Sequence, residues 1–246
     1  MNIDASDSVI RLGVVIPLSN EEATVTELLK RVSLQLSDND RVFCVVDHSS
    51  KDKTRRLVEE YALKDLRVLL VWAPENQCVV DAYFAGYRAA IEAGAQWILE
   101  MDGGFSHLPE EIPLFIDAIN QGYDYVGGCR FMKGGSYKGA VTRKMISWGG
   151  ARLSNFLLGT RMRDMTSGFE CFSRSAMLLV LKHGVRSRAH FFQTEIKYLL
   201  RDSKWVEVPI SYSNPSNSVG AGNLLEAFGN LYSIYKKSRR QAGETE

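Results

Sequence analysis

An α/β fold, with a mainly parallel central sheet covered by helices on both faces, is what this 246-residue sequence predicts. Three observations predict it. Short apolar runs alternate with helix-length amphipathic stretches through the first half, the pattern of strand-helix-strand units. Each apolar run stops at a polar or glycine-rich turn. Hydrophobic residues make up 45% and charged residues 24%, ordinary proportions for a chain able to bury a substantial core.

The elements follow in order. "RLGVVIP" at 11 to 17 reads as a buried strand, with Asn20 placed to cap the helix after it. In that helix Val25, Leu28, Leu29, Val32 and Leu36 fall on one stripe. "RVFCVVD" at 41 to 47 is a second strand, and "KDKTRRLVEEYAL" a helix with Asp52 near its start. "RVLLVW" at 67 to 72 is a third strand, "VVDAYFAGYRAAIEAG" a helix ending at Gly94, and "QWILEMD" a fourth strand. Beyond Pro109, "PEEIPLFIDAINQG" is a helix whose Glu110 and Glu111 suit the dipole of its first turn. "YDYVGG" is a further strand, and residues 130 to 165 are basic and glycine-rich, then helical. "SGFECFS" and "WVEVPIS" read as short strands around the helix "HFFQTEIKYLLRD". No linker divides the chain, so one domain over 1–246 is expected.

Composition narrows the functions. A net charge of +1 gives no nucleic-acid footprint. Cys44, Cys78, Cys129 and Cys171 form no CxxC pair, which argues against zinc and for a reducing compartment. The first residues read as no signal peptide. No apolar stretch reaches the ~18 residues of a membrane span. A cytoplasmic protein is the expectation.

Ligands on such sheets bind beyond the carboxyl ends of the strands. The ends here are Pro17 to Glu21, Asp47 to Ser50, Ala73 to Gln77, and Asp102-Gly103-Gly104. Asp47 either accepts an N–H from a nucleotide base or caps the next helix. Asp102 supplies one carboxylate for a cation on a diphosphate, which needs only one or two from protein, while Gly103 and Gly104 admit a phosphate to the backbone. His107 is a site residue or a turn residue. Arg130, Lys133, Lys138, Arg143 and Lys144 are phosphate-capturing groups or a solvated loop. Asp164, Thr166 and Ser167 line an acceptor pocket or form a turn. Glu195 is a general base or a helix-start glutamate.

In this order the stretches "VVIPLSNEE", "VVDHSSKDKT", "ILEMDGGFSHLPEEIP", "GYDYVGGCRFMKGG", "RKMISWGGARLSNFLLGTRMRDMTSGFECFSR", "HFFQTEIKYLLR" and "VEVPISY" resemble the family 2 glycosyltransferases, in the branch of the dolichyl-phosphate mannose synthases. The resemblance covers about 10 to 215 and is most specific from Leu157 to Phe172. It implies a GT-A fold, a nucleotide-sugar donor, inverting transfer, and a polyprenyl or dolichyl phosphate as acceptor. It implies a nucleotide-sugar-binding half over about 10–105 and an acceptor half over about 106–215. By position, Pro17, Asn20 and Glu21 line the nucleotide pocket, Asp47 meets the base, and Asp102 is the surviving acid of the metal motif for Mg²⁺ or Mn²⁺. Arg130, Arg143 and Ser147 approach the acceptor phosphate; Asp164 and Gln193 shape the acceptor side.

The departures are as informative. The second metal-motif Asp is Gly104, and His48 replaces a carboxylate in "DHSS". The glycine-leucine-glycine loop is "NQCVVDA", and "SYSNPSNSVGAG" carries no positive charge where the family has one. These losses make a catalytically silent partner subunit the rival reading. A sugar nucleotidyltransferase is a weaker rival, since "PLSNEEATV" holds no glycine-rich triphosphate loop. If the acceptor is a hydroxyl, the base falls to Asp164 or Glu195.

At the C-terminus, Leu224, Leu225, Phe228, Leu231, Tyr232 and Tyr235 form one stripe of an amphipathic helix over 222–240, followed by Lys236, Lys237, Arg239 and Arg240. The helix either packs on the core or makes a peripheral membrane contact. The sequence sets no oligomeric state.

Overall fold

The computed structural model describes residues 9–213 and 221–243. The first four predicted strands form as β1 (Leu12–Leu18), β2 (Arg41–Val46), β3 (Val68–Trp72) and β4 (Trp97–Glu100), separated by α1 (Val25–Ser33), α2 (Thr54–Ala62) and α3 (Val79–Glu92). A short 3₁₀ turn at Pro109–Glu111 leads into α4 (Ile112–Asn120). The second half runs β5 (Tyr125–Cys129), β6 (Ser136–Tyr137), α5 (Val141–Leu158), β7 (Glu170–Ser173), α6 (Arg174–His183), α7 (Phe192–Leu199), β8 (Trp205–Pro209), β9 (Ser211–Tyr212) and α8 (Ala221–Gly243).

Seven strands share one sheet in the order β3-β2-β1-β4-β7-β5-β8. All pairs are parallel except those made by β7, which runs antiparallel to both β4 and β5. The sheet is thus mainly parallel, and it continues without a break from the first half of the chain into the second. Both faces are covered. One core packs α1, α2 and α4 residues such as Leu28, Val58 and Phe115 against Val14, Ile16 and Leu99. The other packs Tyr83, Tyr87, Met177 and Phe192 against Val15, Val45 and Ile98. Successive residues of β1 face opposite cores, so Val14 and Val15 are both fully buried.

Three local expectations are corrected. Asn20 does not cap α1: the cap position is Thr24, and Asn20 itself adopts a left-handed φ of 57°. Helix α6 was not expected; it starts directly at the end of β7, where the Ser173 hydroxyl accepts the Ala176 N–H. The small parallel sheet of β6 and β9 was not expected either, and it places Tyr137 beside Tyr212. Most of the uncharged "SYSNPSNSVGAG" stretch, residues 214–220, lies outside the described residues.

Candidate functional site

At the carboxyl ends of β1 and β2 the following loops are zipped together. The Asn20 N–H donates to Ser50 Oγ (3.1 Å), its Nδ2 donates to the Ser49 carbonyl (3.3 Å), and its Oδ1 accepts the Lys51 N–H (2.9 Å). The Glu21 N–H donates to Thr54 Oγ1 (2.7 Å). This cross-linking explains why Asn20 tolerates its backbone strain. Asp47 Oδ1 accepts the Ser49 N–H (2.8 Å), an Asx turn that orients the carboxylate at the strand end. Pro17, Asn20, Glu21 and Asp47 therefore gather at one edge of the sheet, at the ends of β1 and β2.

The glycine pair packs the loop after β4 against this edge. A side chain at Gly103 would meet the Pro17 carbonyl at 2.8 Å and Leu18 Cδ2 at 2.7 Å, so only glycine permits this close approach to β1. At Gly104 a Cβ would lie 3.2 Å from Glu21 Oε1. Just before them, Asp102 accepts hydroxyl bonds at both oxygens: Tyr83 on Oδ1 and Ser106 on Oδ2, each at 2.8 Å. Its backbone N–H donates to His107 Nδ1 (3.2 Å). Burial opposes ionisation of Asp102, but the imidazole and these hydroxyls outweigh it and hold the carboxyl below its ordinary value.

Asp102 also lies on the floor of a cavity of about 540 Å³ in the second half of the chain. Arg130, Arg143, Ser147, Gln193 and His190 are the other polar side chains that matter there. Most of its apolar lining comes from two helices: Met145, Ile146 and Leu153 of α5, and Leu224, Phe228 and Leu231 of α8. Gly149 and Gly150 of α5 line it as well.

The structure thus brings Asp102, Arg130, Arg143, Ser147 and Gln193 together around one cavity and leaves Pro17, Asn20, Glu21 and Asp47 outside its lining, at the ends of β1 and β2. Asp164 belongs to neither. It is 1% exposed and clasps Arg130 through Nε and Nη2, both at 2.7 Å, with the Arg130 N–H adding a third bond at 3.1 Å. Burial is again opposed by the guanidinium, which holds the Asp164 carboxyl below its usual range. Both carboxylate oxygens are taken by Arg130, so Asp164, a base candidate only for a hydroxyl acceptor, here fixes the Arg130 guanidinium. Glu195 fits the structural alternative: its carboxylate accepts the Arg186 and Ser187 N–H groups, both at 2.8 Å, and clamps the loop before α7. His107 is buried, stacks on Phe169 at 4.9 Å, and leaves Nε2 without a partner among the described residues.

Sequence reasoning missed the hydroxyls of Tyr83 and Ser106. It also missed a buried charge network beneath the floor. Glu100 and Glu170 face each other across β4 and β7. Tyr87 donates to Glu100 and Lys197 to Glu170, while Lys197 Nζ also donates to the Ser167 carbonyl (2.7 Å). Gln193 bonds Glu100 from the cavity side. It crosses directly over Gly168, where an added Cβ would fall 1.8 Å from Gln193 Nε2. The signal was a lone glutamate inside each of two apolar strands, "WILEM" and "FECF".

The stripe expected on α8 divides in two. Leu224, Phe228 and Leu231 line the cavity, whereas Leu225 and Tyr232 are 74% and 64% exposed.

The family model described as Glycosyl transferase family 2 matches residues 13–179. Among curated proteins, the undecaprenyl-phosphate mannosyltransferase of Micrococcus luteus is 27% identical over 82% of this chain and 84% of its own length. The polyprenol monophosphomannose synthase of Mycolicibacterium smegmatis is 29% identical over 88% of this chain and 84% of its own. The solved structure of glucosyl-3-phosphoglycerate synthase from Mycobacterium tuberculosis, in complex with Mn²⁺, uridine diphosphate and glucosyl-3-phosphoglycerate, matches with a TM-score of 0.68 at 16% identity, over 92% of this chain and 80% of that one. That likeness establishes the shared fold, the GT-A arrangement.

Proposed function

We propose, from the premise that this chain belongs to glycosyl transferase family 2, that it moves a sugar from a nucleotide-sugar donor to the phosphate of a polyprenyl lipid, with inversion at the anomeric carbon. The observation that carries this reading is the two-sided cavity. Its floor offers Arg130, Arg143 and Ser147 to an anion, and its wall offers Met145, Ile146, Leu153, Phe228 and Leu231 to a hydrocarbon chain. A polyprenyl chain would bury such a wall, whereas a small soluble phosphate would leave much of it in water. The relatives named above act on undecaprenyl and polyprenol phosphates.

The chemistry follows from the two compartments. The nucleoside sits at the strand ends of β1 and β2, with Asp47 turned by its Ser49 bond to accept an N–H of the base. The donor sugar lies over Asp102, where these strand ends meet the cavity. The acceptor phosphate rests against Arg143, Ser147 and the guanidinium that Asp164 holds in place. A phosphate oxygen attacks the anomeric carbon as the bond to the leaving diphosphate breaks, giving a lipid-linked sugar phosphate and a nucleoside diphosphate. The nucleophile is already anionic, so no general base is needed, consistent with the engaged states of Asp164 and Glu195.

A divalent cation fits this site. Gly104 leaves a space bordered by the Glu21 carboxylate, and Asp102 brings one ionised carboxylate to the cavity floor. Such an ion, Mg²⁺ or Mn²⁺, would be held by Asp102 and would offset the charge of the leaving diphosphate. The solved neighbour holds Mn²⁺ or Mg²⁺ with uridine diphosphate.

The same helices argue for a peripheral seat on the cytoplasmic face of a membrane. Among the described residues no helix is long and apolar enough to cross one. On α5, Val141, Met145, Trp148 and Phe156 are exposed, and on α8 Leu225, Phe228 and Tyr232. Lys138, Lys144, Lys236, Lys237 and Arg239 are exposed as well. Apolar side chains accompanied by cations suit an anionic lipid surface. A silent binding module is the weaker reading, since the cavity keeps its anion-binding floor.

The test is incubation of the full chain with a panel of labelled UDP- and GDP-sugars and undecaprenyl phosphate in detergent. Label passing into the organic phase as a mild-acid-labile sugar phosphate is expected. Transfer to a soluble phosphate such as phosphoglycerate, with none to the lipid, overturns the acceptor assignment.

A further inference from the structure

We propose that Glu21 supplies the second carboxylate of the donor's cation site, in the place left by the missing side chain at Gly104. This rests on the reading of the chain as a nucleotide-sugar enzyme and adds a residue-level claim to it.

Position comes first. A Cβ built on Gly104 would lie 3.2 Å from Glu21 Oε1 and 3.9 Å from Oε2. A carboxylate borne by residue 104 would extend into the volume that the Glu21 carboxylate already holds. The two loops have little freedom to separate. Gly103 is pressed against the Pro17 carbonyl and Leu18, and the Glu21 N–H is tied to Thr54 Oγ1.

Orientation and availability follow. The Thr24 hydroxyl donates to Glu21 Oε2. Oε1, on the Gly104 side, accepts no hydrogen bond among the described residues. Neighbouring acids are turned to other loop groups: Asp52 accepts the Glu22 and Thr54 N–H groups, Glu22 Oε2 the Lys53 N–H, and Asp47 Oδ1 the Ser49 N–H. Glu21 is the acid whose carboxylate atoms lie nearest a Cβ built on Gly104.

Electrostatics complete the argument. Glu21 and Asp102 flank the two glycines where a diphosphate approaches the backbone, and two carboxylates beside a diphosphate repel it unless a cation lies between them. Hard oxygen donors of this kind, completed by phosphate oxygens and water, are what Mg²⁺ and Mn²⁺ take. The glycine in the metal motif is then a relocation of the ligand from β4's loop to β1's loop.

The experiment titrates Mn²⁺ into the full chain and follows free Mn²⁺ by electron paramagnetic resonance, with saturating UDP or GDP and without. Nucleotide binding in EDTA is measured alongside by calorimetry. Wild type is expected to bind one Mn²⁺ per chain only with nucleotide. Glu21→Gln should weaken that Mn²⁺ by about tenfold or more and should weaken nucleotide binding more in Mn²⁺ than in EDTA. The double variant Glu21→Ala/Gly104→Asp, which vacates that volume, should recover most of the Mn²⁺ affinity by returning the acid to its other loop. Unchanged Mn²⁺ affinity in Glu21→Gln overturns the proposal. So does an equal loss of nucleotide affinity with and without metal, because Glu21 then touches the nucleotide instead. Wild type that binds nucleotide but no Mn²⁺ overturns it too and leaves the donor reading standing. Failure to bind UDP or GDP under any condition overturns the donor reading itself.

Discussion

The Tyr83 hydroxyl, carried on α3, donates to Asp102 Oδ1 at 2.8 Å, although the two residues are 19 apart in sequence. Tyr83 is 2% exposed and its ring packs on Phe192 at 5.4 Å, so the phenol is fixed from behind. With Ser106 on the other oxygen, Asp102 has one available orientation toward the cavity. Tyr83→Phe keeps the ring and removes the donor. Water from the cavity replaces part of the bond, so the expected stability loss is about 1 kcal/mol, near the usual net value for one hydrogen bond. Turnover should fall roughly tenfold as Asp102 loosens. Steady-state kinetics beside a thermal melt decide it, and unchanged kcat removes Tyr83 from a positioning role.

Asp102→Asn keeps the shape and both hydroxyl contacts but removes the charge. Turnover should drop by about 100-fold or more, the scale of a lost electrostatic group in a transition state. The melting temperature should stay close to wild type, because the side chain is 36% exposed at the cavity floor. A collapsed melting temperature would make Asp102 structural instead.

Arg143 and Asp164 should separate binding from stability. Arg143 is half-buried on α5 and lines the cavity, with no ion pair among the described residues. Arg143→Ala is expected to raise KM for the lipid phosphate by about tenfold, the order of one charge-assisted contact, and to leave the urea midpoint alone. Asp164→Ala strands a guanidinium whose side chain is 5% exposed. Breaking a buried pair in this way costs about 3–5 kcal/mol. If both variants unfold alike, the assignment of Arg143 to the acceptor is wrong.

The buried pair beneath the floor gives a pH signature. Burial, and then the facing Glu170, raise the Glu100 carboxyl well above its ordinary value, while Lys197 pulls the other way. The folded chain therefore holds this proton to higher pH than the unfolded chain, whose Glu titrates near 4.5. Between those two values the folded state binds more protons, so the contribution to stability is greatest in acid and is lost as pH rises through the folded value. Glu100→Gln removes the titration and can still bond Tyr87 and Gln193. The expected result is that the stability advantage of the variant grows as pH is raised from about 5 to 8, in urea melts at constant ionic strength. Parallel pH profiles would place the shared proton elsewhere.

How much of this was legible varies with the range of the contact. The strands β1 to β4 announce themselves because each is a short apolar run closed by a turn, and that order alone puts Asp47 and Asp102 at one edge. The antiparallel insertion of β7 between β4 and β5 pairs β4 with a segment far along the chain (Trp97 with Ser173, Glu100 with Glu170), and no local pattern encodes it. Helix α6 was missed because no turn separates it from β7; the only sign is Ser173 ahead of "RSAMLLVLKH". In the site, residue types were readable but their engagement was not. Asp164 reads as an available acid until Arg130, 34 positions away, is seen to occupy it. The missing metal-motif Asp was visible at Gly104, yet the neighbour that fills its space lies on another strand's loop.

The membrane seat is the prediction that joins the fold to the acceptor. Phe156 is 84% exposed, Leu225 74% and Met145 67%, and all three lie on the helices that wall the cavity. Single exposed apolar residues are unremarkable on a protein surface, but two helices bearing them beside one apolar cavity mark an interaction surface. If lipid covers it, a polyprenyl chain passes from the bilayer into the cavity without crossing water. Each buried side chain of this size contributes about 1.5–3 kcal/mol, and cations near an anionic surface add roughly 1 kcal/mol each. The triple variant Val141→Ser/Phe156→Ser/Leu225→Ser, at exposed positions outside the cavity lining, should lose pelleting with vesicles even at low salt. Lys236→Glu/Lys237→Glu should lose it only for anionic vesicles, and wild-type binding should weaken as salt is raised toward 0.5 M. Transfer to a short, water-soluble prenyl phosphate should survive in both variants, which keeps a docking defect apart from a damaged site. Wild-type chain that stays in the supernatant with anionic vesicles at low salt rejects the membrane seat, and equal pelleting with neutral vesicles rejects the role of the lysines.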